Sequence, residues 1–381
     1  MKRFFAHLAI SSVAILAAVI VYGGHTQEAA TSIPPIKPAV FKPTPPTSSV
    51  VQFQSDQAKQ QFVQANGLSA DEIKPVPNSN SYVVEKTPTQ IQPTSGTTAQ
   101  PNYVYHAMLT PNDPLYPQWY TTKISAPAGW DVTTGSSSVT IAILDTGFDL
   151  THDDMAGRFV AGYDFINNDS DPSINKSSLA GTCAPNDLRF HGTATAGLLG
   201  ATGNNGTGVA SLDWGSKIMP IEVLDDTGCG TTASVVAGIN FAVANGANII
   251  SMSLGQTSND STLQTAIDNA VTAGVTVVAA AGNCGGSDYA NNSCDFQGQM
   301  VYPANYPEVI AVGATDINDN RASYSSYGPN LDVMAPGDAS GSGSDVMRTP
   351  FWDSTNPNAE NEYTLSLHGT SFATPVAAGL A

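Results

Sequence analysis

Apolar positions in this chain change their spacing several times, and each change marks an element. Residues 139–144, 218–224, 247–252, 275–280 and 309–314 are predominantly apolar runs with frequent β-branched side chains, as in strands buried on both faces. Between them the period lengthens to that of a helix. Residues 232–244 place Val235, Ile239, Ala242 and Val243 on one face and stop at Gly246. A helix capped by Asp260 or Ser261 places Leu263, Ile267, Ala270 and Val271 on one face and stops at Gly274. Residues 191–199 predict a further helix. Apolar strands alternating with helices predict an α/β domain of three layers, α/β/α, around a mostly parallel sheet. Catalytic groups of such folds gather at the carboxyl ends of the strands.

The first hundred residues follow another pattern. Lys2-Arg3 followed by the apolar run 4–22 reads as an export signal over 1–24, or as an N-terminal membrane anchor of similar length. Residues 25–49, rich in Pro and Thr, predict an extended linker. Residues 50–53 and 81–85 predict strands and 55–67 a helix, a very small folding unit, after which 87–102 return to Pro/Thr/Gln-rich linker. No internal repeat is present.

Charge divides the chain at the same place. Residues 1–112 hold 7 Lys/Arg and 5 Asp/Glu, and residues 113–381 hold 7 and 27. The acidic balance of the main domain excludes a nucleic-acid partner, which needs a basic face, and suits solubility outside the cell or cation binding. With 41% hydrophobic and 12% charged residues the chain is globular, not disordered. Four cysteines, Cys183, Cys229, Cys284 and Cys294, allow three pairings. The short loop favours Cys284–Cys294, which leaves Cys183–Cys229; no C-x-x-C pair suggests zinc.

Four segments carry candidate chemistry. Asp145 follows the 139–144 strand and precedes Thr146-Gly147, where a carboxylate can orient a histidine. His191 opens His-Gly-Thr-Ala-Thr-Ala-Gly, whose small residues let a helix pack tightly behind an imidazole able to act as a base near neutral pH. Ser371 lies in Gly369-Thr370-Ser371-Phe372-Ala373-Thr374-Pro375, at a helix start that favours developing negative charge. Asn283 ends Ala279-Ala280-Ala281-Gly282-Asn283 and can donate a hydrogen bond to an oxyanion. Singly, each segment has an ordinary structural reading as a turn, a cap or a core histidine.

In the order Asp, His, Asn, Ser on one α/β sheet, with Ser253-Leu254-Gly255 between, residues 113–381 resemble the subtilisin-like serine proteases, the subtilase family. Thr110-Pro111-Asn112-Asp113-Pro114 is similar to the start of mature enzymes of its thermitase-like branch. The resemblance implies a secreted serine endopeptidase acting on protein or peptide substrates through an acyl-enzyme, with Asp145, His191 and Ser371 as triad and Asn283 as oxyanion donor. It implies that Ser253, Leu254 and Gly255 pair with the substrate backbone, and that Val301 lines the main specificity pocket and narrows it to small or medium apolar side chains. It further implies a structural Ca2+ site, with Asp113, Asp154 and the Asn205 side chain as ligands beside carbonyls of Thr202, Thr207 and Val209. Residues 50–112 resemble a shortened inhibitor-like propeptide plus linker, an intramolecular inhibitor removed by cleavage between about 103 and 112.

The chain also departs from the family. Phe372 stands where methionine is frequent, which leaves the chemistry intact. Ala381 comes ten residues after Ser371, whereas the family's domain continues for several more helices, so the peptidase domain is expected to be incomplete at its C-terminus. Two rival readings remain at this level: a catalytically silent binding or adhesion module on the same fold, and a metal-dependent hydrolase using His152, Asp153 and Asp154.

Overall fold

The computed structural model describes residues 47–69, 71–103, 109–177, 179–181, 187–287, 294–338, 347–356, 362–364 and 367–381. The export signal or anchor over 1–24, and the linker up to residue 46, lie outside them. Among the described residues no helix is long and apolar enough to cross a membrane.

The chain forms two compact units that divide between Ala107 and Met108. In the first, strands β1 (Ser49–Phe53), β2 (Ile73–Pro75), β3 (Ser81–Val84) and β4 (Thr97–Pro101) form an antiparallel sheet in the order β2-β3-β1-β4. Helix α1 (Asp56–Ala65) starts at Ser55, whose hydroxyl accepts the Ala58 N–H. Val51, Phe53, Phe62, Ile73, Val84 and Ile91 make its small core. The predicted linker 87–102 is thus corrected: its second half is β4, paired with β1 along five residues. Its sequence, Thr-Thr-Ala-Gln-Pro, lacks the apolar alternation of a half-buried strand because β4 is an edge strand with mostly exposed side chains.

The second unit opens with short helices α2 (Trp119–Lys123) and α3 (Ala126–Trp130). It continues through β5 (Thr140–Asp145), β6 (Tyr163–Asp164), α4 (His191–Gly200), β7 (Lys217–Glu222), α5 (Thr232–Ala244) and β8 (Ile249–Met252). Then follow α6 (Ser261–Thr272), β9 (Thr276–Ala280), β10 (Ile310–Thr315), β11 (Val333–Pro336), the pair β12 (Thr349–Phe351) and β13 (Glu362–Thr364), and α7 (Thr370–Ala378). Seven strands form one wholly parallel sheet, β11-β10-β9-β8-β5-β7-β6. One core lies between the sheet and α5 and α6, with Leu144, Ile221, Ile239 and Ile267. The other lies under α4 and α7, with Ile143, Leu198, Phe372 and Val376. This is the three-layer α/β/α architecture. Strand order reverses at β5, so the carboxyl end of β5 sits at the switch point where open α/β sheets hold their ligands.

Candidate active site

Asp145 is the last residue of β5 and is fully buried. Its Oδ1 accepts the Thr146 N–H at 2.7 Å and faces His191 Nδ1 at 2.6 Å, while its Oδ2 lies 3.1 Å from Thr195 Oγ1. A carboxylate only accepts, so Nδ1 carries the proton and Nε2 of the neutral ring is left as the acceptor. His191 is the first residue of α4, and the helix can come this close because Gly192 follows it. A Cβ at Gly192 would lie 2.4 Å from the Thr146 carbonyl oxygen. The Gly192 N–H donates to Thr146 Oγ1 at 3.0 Å, tying the helix start to the strand end. The imidazole is 13% exposed. Burial pulls its pKa down, but the charge and hydrogen bond of Asp145 outweigh burial and hold it above the ordinary histidine value.

Ser371 is the second residue of α7, in the first turn, whose N–H groups have no acceptor within a helix. Its Oγ donates to the Ser253 carbonyl at 3.3 Å, and Ser253 Oγ donates to the Ser371 carbonyl at 2.6 Å. Among the described residues no hydrogen bond joins Ser371 to His191. Both nevertheless line one cleft of about 380 Å3, together with Ser253, Leu254 and Gly255. Leu254 and Gly255 make no backbone hydrogen bond to any described residue, whereas Gln256 exchanges two with Tyr302. The segment after β8 therefore offers the cleft a free stretch of main chain.

Asn283 Oδ1 accepts the Thr370 N–H at 3.0 Å and lies 3.1 Å from Thr370 Oγ1. A backbone N–H can only donate, so this contact fixes which amide atom is oxygen and turns Nδ2 toward Gly369 and the start of α7. Val301, expected to line the specificity pocket, is 9% exposed and is not on the cleft wall. It packs against Gly255, which lines the cleft, and against Gly282: a Cβ at either would lie 2.3 Å or 2.9 Å from its methyl groups. The predicted Cys284–Cys294 disulfide is present; Cys183 lies outside the described residues, and Cys229 is disulfide-bonded.

Away from the cleft, three of the predicted cation ligands are linked, with Asn205 bonded to both Asp113 and Asp154. Asp113 Oδ2 accepts the Asn204 N–H at 2.7 Å and its Oδ1 that of Asn205 at 3.4 Å. Asp154 accepts from Val209 N (2.9 Å), Asn205 Nδ2 (3.0 Å) and the Tyr363 hydroxyl (3.1 Å). Asn205 turns its oxygen to Thr207 N at 2.8 Å. Thr202 N–H donates to the Asp154 carbonyl at 2.8 Å, and Thr202 Oγ1 is buried without a partner. Burial raises the pKa of both carboxyls, and Asp113 adds its charge at Asp154, which is pushed up to about 6. The rival metal cluster does not form. Asp154 N–H donates to His152 Nδ1 at 3.2 Å, so Nε2 bears the proton and donates to the Glu362 carbonyl at 3.1 Å; both ring nitrogens are taken. No group of three or more His, Cys, Asp or Glu able to hold a metal occurs among the described residues.

Three residues at the site escape sequence reasoning: Thr146, Thr195 and Thr370, which tie down Gly192, Asp145 and Asn283. Only Thr195 left a signal, since it stands four residues after His191 on the same helical face.

The family model described as the subtilase family matches residues 136–381. Thermitase of Thermoactinomyces vulgaris is 42% identical over 274 residues, 71% of this chain and 84% of that one. The thermophilic serine proteinase of Bacillus sp. (strain AK1) is 39% identical over 285 residues, 74% of this chain; the match spans 61% of that relative's length. A solved structure described as proteases from Pseudoalteromonas arctica PAMC 21717 superposes with a TM-score of 0.63 at 34% identity, covering 71% of this chain and 86% of that one. Matched over most of its second unit, and similar to thermitase along most of thermitase's length, the chain belongs to the subtilase family, in its thermitase-like branch.

Proposed function

We propose that this protein is an exported serine endopeptidase in which Ser371 is the nucleophile, His191 the general base and Asp145 the residue that orients and charges the base. The observation that carries the reading is the 2.6 Å contact of His191 Nδ1 with buried Asp145, with Ser371 on the wall of the same cleft. An extended peptide pairs with the free main chain of Leu254 and Gly255, a mode that ignores side-chain identity. Ser371 Oγ leaves the Ser253 carbonyl by rotation about χ1, gives its proton to His191 Nε2 and attacks the peptide carbonyl; such contacts tighten when substrate binds. Asn283 Nδ2 and the Ser371 N–H receive the oxyanion. His191 then protonates the leaving amine, and water, deprotonated by the same ring, releases the acyl group. Val301, packed against Gly255 of the cleft wall and against Gly282, is assigned the role of closing the specificity slot, which favours small or medium apolar side chains at the scissile residue.

Three further assignments belong to this reading. A structural calcium ion fits between Asp113 and Asp154. The two buried carboxyls have neutral donors as hydrogen-bond partners, an orphaned Thr202 hydroxyl lies in the same loop, and carbonyls of Thr202, Thr207 and Val209 supply the oxygen ligands this ion prefers. Ligation by Asn205 requires its amide to turn its oxygen inward. The first unit, compact in its own right, acts as the inhibitory propeptide. The disulfide supports an oxidising compartment and hence export.

The test is covalent labelling of the protein with a fluorophosphonate. Label is expected on Ser371 and absent from Ser371→Ala, with peptide hydrolysis lost in parallel. Hydrolysis that survives Ser371→Ala removes the assignment.

A further inference from the structure

Cys284 follows Asn283 directly, and its bridge to Cys294 is buried against Val301, the three forming an apolar cluster separate from the two cores of the unit. The chain around this cluster is closely held. Cys284 N–H donates to Ser326 Oγ (3.1 Å), whose hydroxyl donates to the Gln299 carbonyl (2.7 Å), and Gly298 N–H donates to the Cys284 carbonyl (2.7 Å). Ser326 N–H donates to the Gly282 carbonyl (2.8 Å), and Val301 N–H donates to the Ala281 carbonyl (3.0 Å). On its far side Val301 fills the gap between Gly255 and Gly282. Disulfide, valine, the cleft-lining Gly255 and the Gly282 that precedes Asn283 are therefore packed together.

We propose that the Cys284–Cys294 disulfide is a positioning element for catalysis and substrate choice: it holds Asn283 in register for the oxyanion and holds Val301 as the plug of the specificity slot. The inference rests on the peptidase reading above. Its physical basis is tolerance. A cluster of three side chains has little apolar contact of its own to resist displacement, and a donor aimed at a transition state loses its value over shifts of well under an ångström. Thr370 fixes the acceptor side of the Asn283 amide from α7, and the bridge fixes the main chain that carries it. Severing the bridge removes the covalent hold and leaves that main chain to its hydrogen bonds with Ser326 and Gly298.

The experiment is steady-state hydrolysis of two peptide substrates, with Ala or Phe at the scissile residue, by the full-length protein and by the double variant Cys284→Ser/Cys294→Ser, well below the melting temperature of each. The bridge of Cys229 remains. On the Ala substrate kcat is expected to fall at least about tenfold while KM stays within about threefold. The Ala-to-Phe ratio of kcat/KM is expected to fall several-fold toward parity. A bridge that only stabilises the fold lowers Tm and leaves kcat and the ratio unchanged; that result overturns the proposal. If the variant lacks a native near-UV spectrum, the parent is titrated with reductant and opening of Cys284–Cys294 is followed by alkylation and mass spectrometry. Loss of kcat in step with that opening supports the proposal, and full activity with the bridge open overturns it. A parent that neither labels at Ser371 nor cleaves peptides fails the peptidase reading and takes the positioning role with it. An active parent whose variant is indifferent removes the positioning role alone.

Discussion

Asp145 and Asp154 stand nine residues apart, and both are wholly buried. Each accepts three hydrogen-bond contacts, one from main chain and two from side chains. They differ in who the donors are. One donor to Asp145 is an imidazole that can take up positive charge, and burial of that imidazole is outweighed by the carboxylate's presence. The side-chain donors to Asp154 are an amide and a phenol, both neutral, and a second carboxyl adds a like charge. In the proposed function the same residue at the same depth becomes a means of charging a base in one place and a demand for a cation in the other. Burial does not decide the role of a carboxylate; the charge state available to its partner does.

The comparison breaks most sharply on turnover. Asp145→Asn is expected to lower kcat by about 10⁴-fold, because the amide favours the wrong tautomer of His191. Its calcium-dependent thermal shift should match the parent's. A kcat within tenfold of the parent ends the distinction between the two aspartates. In the parent, activity needs neutral His191, so kcat/KM rises with pH through a value above the ordinary imidazole figure of about 6.5, since Asp145 holds that ring's pKa up. In Asp145→Asn that acid limb should move to lower pH.

Asn283→Ala comes next, at about 10²- to 10³-fold in kcat with little change in KM, the size found for this donor in subtilisin. An unchanged kcat takes the oxyanion role from Asn283. For the second aspartate the readout is stability. Chelation is expected to lower Tm by about 5–10 °C, from about 2.7 kcal/mol at hundredfold saturation and about 2–4 °C per kcal/mol for a domain of this size. Asp154→Asn should abolish that shift in calorimetry and leave kcat within a few-fold. A full calcium response in Asp154→Asn places the ion elsewhere. The smallest effect is on choice of substrate. Val301→Gly opens the slot between Gly255 and Gly282, and cleavage after Phe relative to Ala should gain about tenfold; an unmoved ratio means the slot is not where side chains are selected.

The central strands and α5 and α6 were legible because each obeys a single rule. A strand of a parallel sheet is apolar throughout, and a covering helix is apolar along one stripe, as in α6 from Asp260 to Gly274. The four candidate segments stand out in the sequence because glycine and small residues crowd around each candidate side chain. Elements that serve edges were not. β4 is polar along most of its length, and β12 and β13, three residues each, are shorter than any periodicity can register. Sequence barely announces hydroxyls in supporting roles: Thr195 is marked only by standing four residues after His191, and Thr370 looks like an ordinary helix residue until Asn283 is seen against it. Nor does sequence show that Val301 packs against two glycines distant from it in the chain, Gly255 and Gly282. Glu222 gives no sign in Lys-Ile-Met-Pro-Ile-Glu that burial, followed by Asp164 and Asp226, pushes its carboxyl up to about 9.

All nine residues of α4 after His191 are buried. The proposed general base is therefore mounted on a rod with no side facing water, and no position along that rod can accept a charge, a bulky label or a drifting mutation without entering the core. Adjustment of the base, by laboratory selection or natural divergence, has to come through what surrounds the rod: the end of β5, Thr146, and the β12 segment whose Thr349 hydroxyl donates to the Ala194 carbonyl. A library directed at residues 192–200 would return mostly unfolded clones, while one directed at those neighbours would sample the chemistry.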